Sequence, residues 1–184
     1  LFVRYLLLMP VRVCVFVIFG PSTVVICLLV HVVPGKERRK WLGELALRIC
    51  FRTLSHASSC IVYFHDQENR TTVSSICVAN HTSPLDALVL SLDNTYALTG
   101  QAYPVCSLLG FSQWMLSRVE NHIWFNRQES DDRKAVSTRM RSHVAEPKNA
   151  PLLIFPEGVC VNNTSVMMFK KGAFELDCPI YPIA

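Results

Sequence analysis

Residues 13–33 contain no Asp, Glu, Lys or Arg. This run of 21 residues constrains the chain more than any other feature. At a rise of about 1.5 Å per residue, a helix over it crosses a hydrocarbon core about 30 Å thick. Arg4 and Arg12 precede it, and Lys36, Arg38, Arg39 and Lys40 follow it. Basic residues on both sides give no positive-inside asymmetry. Gly20-Pro21 falls in the middle, and a proline both removes a helical hydrogen bond and clashes with the preceding turn. Two arrangements follow. One is a single span. The other is a re-entrant pair of short helices over residues 1–19 and 21–33, with both ends on the cytosolic side. The second accounts for the symmetric flanks and is the preferred reading. A cleaved signal peptide fits poorly, because the apolar stretch is long and no small-residue cleavage pattern follows it.

Apolar residues make up 51% of the chain and charged residues 17%. The surplus lies at the N-terminus, so it reads as a membrane segment and not as a larger core. The net charge of +4 suits an anionic membrane surface or anionic substrates, and no run is basic enough for nucleic acid. None of the eight cysteines forms a C-x-x-C pair, and no His stands at zinc-ligand spacing to them, so no metal site is expected. Most are flanked by Ile, Val or Leu, which suits buried free thiols in a reducing compartment. The chain begins at Leu1 and ends in Tyr181-Pro182-Ile183-Ala184, which looks like a strand interior, so it reads as a fragment truncated at its C-terminus.

Residues 41–54 place Trp41, Leu42, Leu45, Ala46, Ile49 and Cys50 at helical spacing. Such an amphipathic helix lies on a membrane surface or, more commonly, packs on a core. The chain then alternates. Strands are expected at 61–64, 75–79, 123–125, 152–155 and 180–183. Helices are expected at 84–92, 106–119 and 131–144, the last opened by Ser130 and two acids. The alternation predicts an α/β fold, a mixed sheet with flanking helices.

The central stretch is Asn80-His81-Thr82-Ser83-Pro84-Leu85-Asp86. It follows an apolar strand and opens a helix, with Ser83 as N-cap, Pro84 at the first helical position and Asp86 three residues after the cap. Leu85, Leu88, Val89 and Leu92 then form a buried face. With His81 in the loop, Asp86 reaches back to an imidazole nitrogen, fixes the tautomer and leaves the other nitrogen to take a proton. The plainer account, that Asp86 caps its helix and His81 is an ordinary loop residue, fits this stretch about as well. Glu157, in Phe155-Pro156-Glu157-Gly158, and Arg127, in Ile123-Trp124-Phe125-Asn126-Arg127, each follow a strand. Each is read alone as a solvated turn charge. Together with His81 they fall at strand ends, and if those strands are parallel neighbours the three converge on one crevice. A guanidinium there holds phosphate by two parallel hydrogen bonds.

His81-Thr82-Ser83-Pro84-Leu85-Asp86, the Arg127 stretch, Phe155-Pro156-Glu157-Gly158 and Tyr181-Pro182-Ile183 resemble, in order, the four motif blocks of the glycerolipid acyltransferase superfamily. The run from Asn162 to Gly172, with Met167-Met168-Phe169-Lys170-Lys171, is similar to the endoplasmic-reticulum glycerol-3-phosphate acyltransferases of animals. The resemblance implies His81 as general base, Asp86 as its orienting partner, and Arg127, Glu157 and Gly158 as the glycerol phosphate site; Lys170 and Lys171 offer further cations for it. It implies transfer of a fatty acyl group from acyl-CoA, as co-substrate and without another cofactor, to the 1-hydroxyl of glycerol 3-phosphate. The partners are then acyl-CoA, glycerol 3-phosphate and the bilayer, at the endoplasmic reticulum, with the catalytic domain facing the cytosol. The implied organisation is a membrane segment over 1–33, an amphipathic helix and linker over 34–59, and a catalytic domain over 60–184.

Two positions depart from the pattern. Val159 stands where the family usually has Thr, and Asn126 where close relatives have an acid. The competing readings are an acyltransferase that uses lysophosphatidate, an inactive membrane-associated binding module, and a secreted disulfide-bonded glycoprotein with sequons at Asn69, Asn80, Asn162 and Asn163. A serine-hydrolase reading is weaker, since Gly110-Phe111-Ser112-Gln113-Trp114 begins like a nucleophile elbow but lacks the closing Gly. The intact His81 and Asp86 argue against the inactive module, and a glycan on Asn80 would block the proposed base.

Overall fold

The computed structural model describes residues 1–126, 132–165 and 167–184. The chain forms two compact units, residues 1–65 with 88–93, and residues 66–87 with 94–184.

The first unit is a helical hairpin. A wide π-helical stretch, Val3–Leu8, runs into α1, Met9–Val32, and α2 spans Lys36–Ala57. Val3–Val30 is long and apolar enough to cross a membrane, and most of its large side chains are exposed. The break expected at Gly20-Pro21 does not occur: Pro21 lies inside α1. The Ser22 hydroxyl donates to the Ile18 carbonyl, and the Thr23 hydroxyl donates to the Phe19 carbonyl at 2.7 Å. The chain turns instead after Val33, at Gly35, whose φ of +92° suits a residue without a Cβ.

On α2, Gly43, Cys50 and Ala57 recur every seventh residue and are buried, while Thr23 and Cys27 are buried on α1. Small residues let two helix backbones approach closely, and α1 and α2 pack against each other. The face expected to hold Trp41, Leu45 and Ile49 is exposed. Residues 61–64, expected as a strand, are irregular, with Ile61 and Tyr63 exposed.

The second unit is built on a five-stranded sheet: β1 Ile76–Ala79, β2 Ala97–Gln101, β3 Ile123–Phe125, β4 Leu152–Ile154 and β5 Ile180–Ile183. The strand order is β3-β2-β4-β1-β5. Where a mixed sheet was expected within the α/β class, every pairing described is parallel. Parallel strands are covered on both faces, so their sequences are continuous apolar runs. Ile76, Leu152 and Leu153 are fully buried. Ile76 and Leu152 join Val78, Ala97, Ile123, Ile154 and Met140 in one core cluster. Met140 comes from α5, Asp132–Ala145, which packs on β3 and β4.

Sequence reasoning missed β2. Its Ala-Leu-Thr-Gly-Gln composition favours a strand weakly, and the strand is made by pairing with β3 on one side and β4 on the other. Gly100 lies under the Trp124 ring, where a Cβ would sit 3.4 Å from the indole. The helix expected over 106–119 is α4, Leu108–Leu116, capped by the Ser107 hydroxyl, which accepts the Gly110 N–H at 3.0 Å. Ser112 therefore lies inside a helix, with its hydroxyl donating to the Leu109 carbonyl, and is no nucleophile elbow. All eight cysteines are free, but only Cys27, Cys50 and Cys77 are buried; Cys14, Cys106 and Cys160 are exposed.

Candidate active site

In a parallel sheet the C-terminal strand ends lie on one side. Val78 of β1 pairs with Ile154 of β4, so the segments leaving these two strands run out together. One carries His81 and the other Phe155-Pro156-Glu157-Gly158. The remaining strand end, Phe125 of β3, is separated from β4 by β2, two strand spacings or about 10 Å. Arg127 lies outside the described residues, as does the start of the expected helix at Ser130 and Asp131.

Asp86 opens α3, Asp86–Leu90, and its carboxylate gathers four donors. Oδ2 accepts from the Thr82 N–H at 2.6 Å, the Ser83 N–H at 2.9 Å and His81 Nδ1 at 3.0 Å. Oδ1 accepts from the Thr82 hydroxyl at 3.1 Å. The carboxylate therefore does both things its sequence position allows: it caps its helix and it orients His81. Burial alone would raise the Asp86 pKa. The Ser83 and Thr82 N–H groups, then the His81 ring and the Thr82 hydroxyl, outweigh that and hold it below 3.8. An ionised Asp86 requires a proton on His81 Nδ1, which leaves the Nε2 lone pair as a base. The buried face expected on this helix is absent, with Leu85 exposed and Leu88, Val89 and Leu92 half-buried.

The N–H groups around Pro84, where α3 begins, are already engaged and are not open as oxyanion donors. Those of Thr82 and Ser83 serve Asp86, that of Leu85 goes to the Ser83 hydroxyl at 3.2 Å, and that of Asp86 goes to the Ser83 carbonyl at 3.0 Å. The turn is spent on holding the carboxylate.

The segment after β4 meets His81 at three points. The Phe155 ring stacks on the imidazole at 4.1 Å between centroids and 18° between planes. Glu157, 7% exposed, accepts the His81 N–H at 3.1 Å. The Val161 N–H donates to the His81 carbonyl at 2.7 Å. A further link joins Asn80 Nδ2 to Asn163 Oδ1 at 3.2 Å.

Gly158 has φ +75°, and a Cβ there would stand 2.6 Å from Lys170 Nζ. The Lys170 N–H donates to the Pro156 carbonyl at 3.0 Å, so its ammonium is brought to the Pro156-Glu157-Gly158 turn. Lys171 follows, exposed, at the start of a short turn, Lys171–Ala173, whose Ala173 is buried.

The structure thus gathers His81, Asp86, Glu157, Gly158 and Lys170. Phe155 and Val161 were missed as partners of His81. Phe155 leaves the end of β4 and Glu157 lies in the turn closed by the Gly158 N–H on the Phe155 carbonyl at 3.1 Å, so strand alternation gave no signal for their meeting at His81. The Val161 contact is made by backbone and leaves no trace in side-chain type.

A family profile described as Acyltransferase matches residues 61–184. The chain is 43% identical over 183 residues to glycerol-3-phosphate acyltransferase 3 of Danio rerio, covering 100% of this chain and 40% of that protein. It is 43% identical to the human protein of the same name, over 99% of this chain and 42% of that one. Against glycerol-3-phosphate acyltransferase 4 of Pongo abelii the identity is 40%. The chain spans about two fifths of the length of these relatives. Among solved structures, the 1-acyl-sn-glycerophosphate acyltransferase of Thermotoga maritima superposes with a TM-score of 0.67 at 16% identity, over 98% of this chain and 73% of that one. At that identity the likeness concerns the fold.

Proposed function

The chain belongs to the acyltransferase family, and on that premise we propose that it carries the catalytic machinery of an acyl-CoA:glycerol-3-phosphate 1-O-acyltransferase. The observation that carries this reading is His81, held through Nδ1 by Asp86, beside the turn that brings Lys170 to Gly158. His81 Nε2 takes the proton from the 1-hydroxyl as that oxygen attacks the thioester carbonyl. The tetrahedral oxyanion collapses, the carbon–sulfur bond breaks, and the leaving thiolate takes the proton from the imidazolium. Asp86 stabilises that imidazolium while it lasts. The reaction uses acyl-CoA as co-substrate and no further cofactor.

The acceptor's phosphate carries about two negative charges at neutral pH, as other phosphate monoesters do. Lys170, Lys171 and Arg127 are its proposed cations, Arg127 on sequence resemblance alone, and the lack of a Cβ at Gly158 leaves room for the Lys170 ammonium beside the turn. The proposed location is the endoplasmic-reticulum membrane, with the catalytic unit on the cytosolic side. α1 supports membrane association. The test is an acyl-CoA assay on the full-length protein, with glycerol 3-phosphate and lysophosphatidate offered side by side. Acylation of glycerol 3-phosphate, lost in His81→Ala, supports the reading. Transfer to lysophosphatidate alone, or no transfer, overturns it.

A further inference from the structure

The motif resemblance assigns Glu157 to the acceptor. The geometry points elsewhere, and we propose that Glu157 is a positioning residue, whose carboxylate holds the His81 backbone and acts on turnover through the base. The inference rests on His81 being that base.

Glu157 is 7% exposed, and its Oε2 stands 3.1 Å from the His81 N–H. A buried carboxylate needs donors, and a charge-assisted bond to a backbone N–H is among the stronger ones available to it. The bond joins residues 76 apart in sequence, so it ties the end of β4 to the end of β1. The same segment fixes His81 twice more, by the Phe155 ring on its imidazole and the Val161 N–H on its carbonyl. Asp86 sets which nitrogen carries the proton. The clamp from residues 155–161 sets where the ring stands. Both are needed, because a misplacement of about 1 Å at a reacting group can cost roughly a hundredfold in rate.

Reach and charge separate this role from acceptor binding. Gln keeps an acceptor oxygen at the same reach and loses the charge. Asp keeps the charge and falls one methylene short. The experiment is steady-state kinetics on Glu157→Gln, Glu157→Asp and Glu157→Ala in the full-length protein, varying acceptor and acyl-CoA in turn. The expected result is a fall in kcat of about a hundredfold in Asp and Ala, with the acceptor KM little changed, and substantial rescue in Gln. A large rise in acceptor KM with kcat retained, or a Gln variant as impaired as Ala, overturns the proposal.

A second measurement does not depend on the acceptor: the rate at which diethyl pyrocarbonate modifies His81, read by peptide mass mapping. The rate should rise several-fold in Glu157→Asp and stay near wild type in Glu157→Gln. Equal rates in all three proteins overturn the clamp, whatever the enzyme acylates. Undiminished turnover in His81→Ala would instead overturn the assignment of the base.

Discussion

His81 has its ring nitrogen, ring face, amide and carbonyl all engaged, and each contact comes from a different group. His81→Ala removes the proposed proton acceptor and should lower turnover by roughly 10²–10⁴-fold with little change in melting temperature. Asp86→Asn should cost less and remain severe, because an amide lets the imidazole take the wrong tautomer; stopped assays on both variants rank them. A second histidine reports on stability. His122 is buried, and its Nδ1 accepts the Leu98 N–H at 2.8 Å, which requires the neutral ring. Burial first, then the charge of His143, push its pKa down to about 4 from 6.5, against a smaller opposing pull from the Leu116 carbonyl. The unfolded chain therefore binds a proton that the folded chain refuses between these values. The contribution is full above pH 6.5 and is lost as pH falls towards 4, on the order of 3 kcal/mol in all. Thermal melts across that window should show a steep decline in wild type and a flatter one in His122→Gln. Asp86, whose pKa is depressed, works lower: its contribution is present above the ordinary carboxylate range and fades only below it.

At the scale of elements, two glycines and one proline carry distinct demands. Gly110, in the first turn of α4, would put a Cβ 1.9 Å from the Pro104 carbonyl oxygen. That neighbour is backbone and cannot swing aside. Gly110→Ala should therefore destabilise by roughly 3 kcal/mol or more, read as a loss of folded protein on heating. Gly158→Ala is milder in space, since Lys170 Nζ is the free end of a flexible chain, but φ is +75°. Its backbone cost is about 1–2 kcal/mol. A raised KM for glycerol 3-phosphate beyond that cost is the expected sign that Lys170 was displaced. Pro21 makes the opposite case. Because α1 runs through it, replacing Gly20-Pro21 by Leu-Leu should leave the sides of the two ends unchanged in a protease-protection assay. A changed side would mean that the proline bends the segment in the bilayer.

For the molecule as a whole, the helical hairpin and the parallel-sheet unit divide the composition between them: the apolar surplus goes to one and the proposed site residues to the other. If the sheet unit faces the cytosol, the sequons at Asn69 and Asn162 stay unmodified in microsomes, and an endoglycosidase-sensitive shift at either would place it in the lumen. Much of this organisation is local and was legible in sequence. The apolar run, the alternation of strands and helices, and the Asp86 grip on His81 all arise within a few residues of chain, where spacing dictates geometry. The long-range features were not legible. β2 exists because β3 and β4 offer it hydrogen bonds that its own composition would not demand. Nor does the local Gly-Pro pattern, which reads as a break, show that α1 runs on through Pro21. Above all, the strand order alone decides that β1 and β4 are neighbours, and so that Phe155, Glu157 and Val161 meet His81. Local sequence sets what a residue can do. Which distant residue it does it with is set by pairing, and only the folded sheet fixes that.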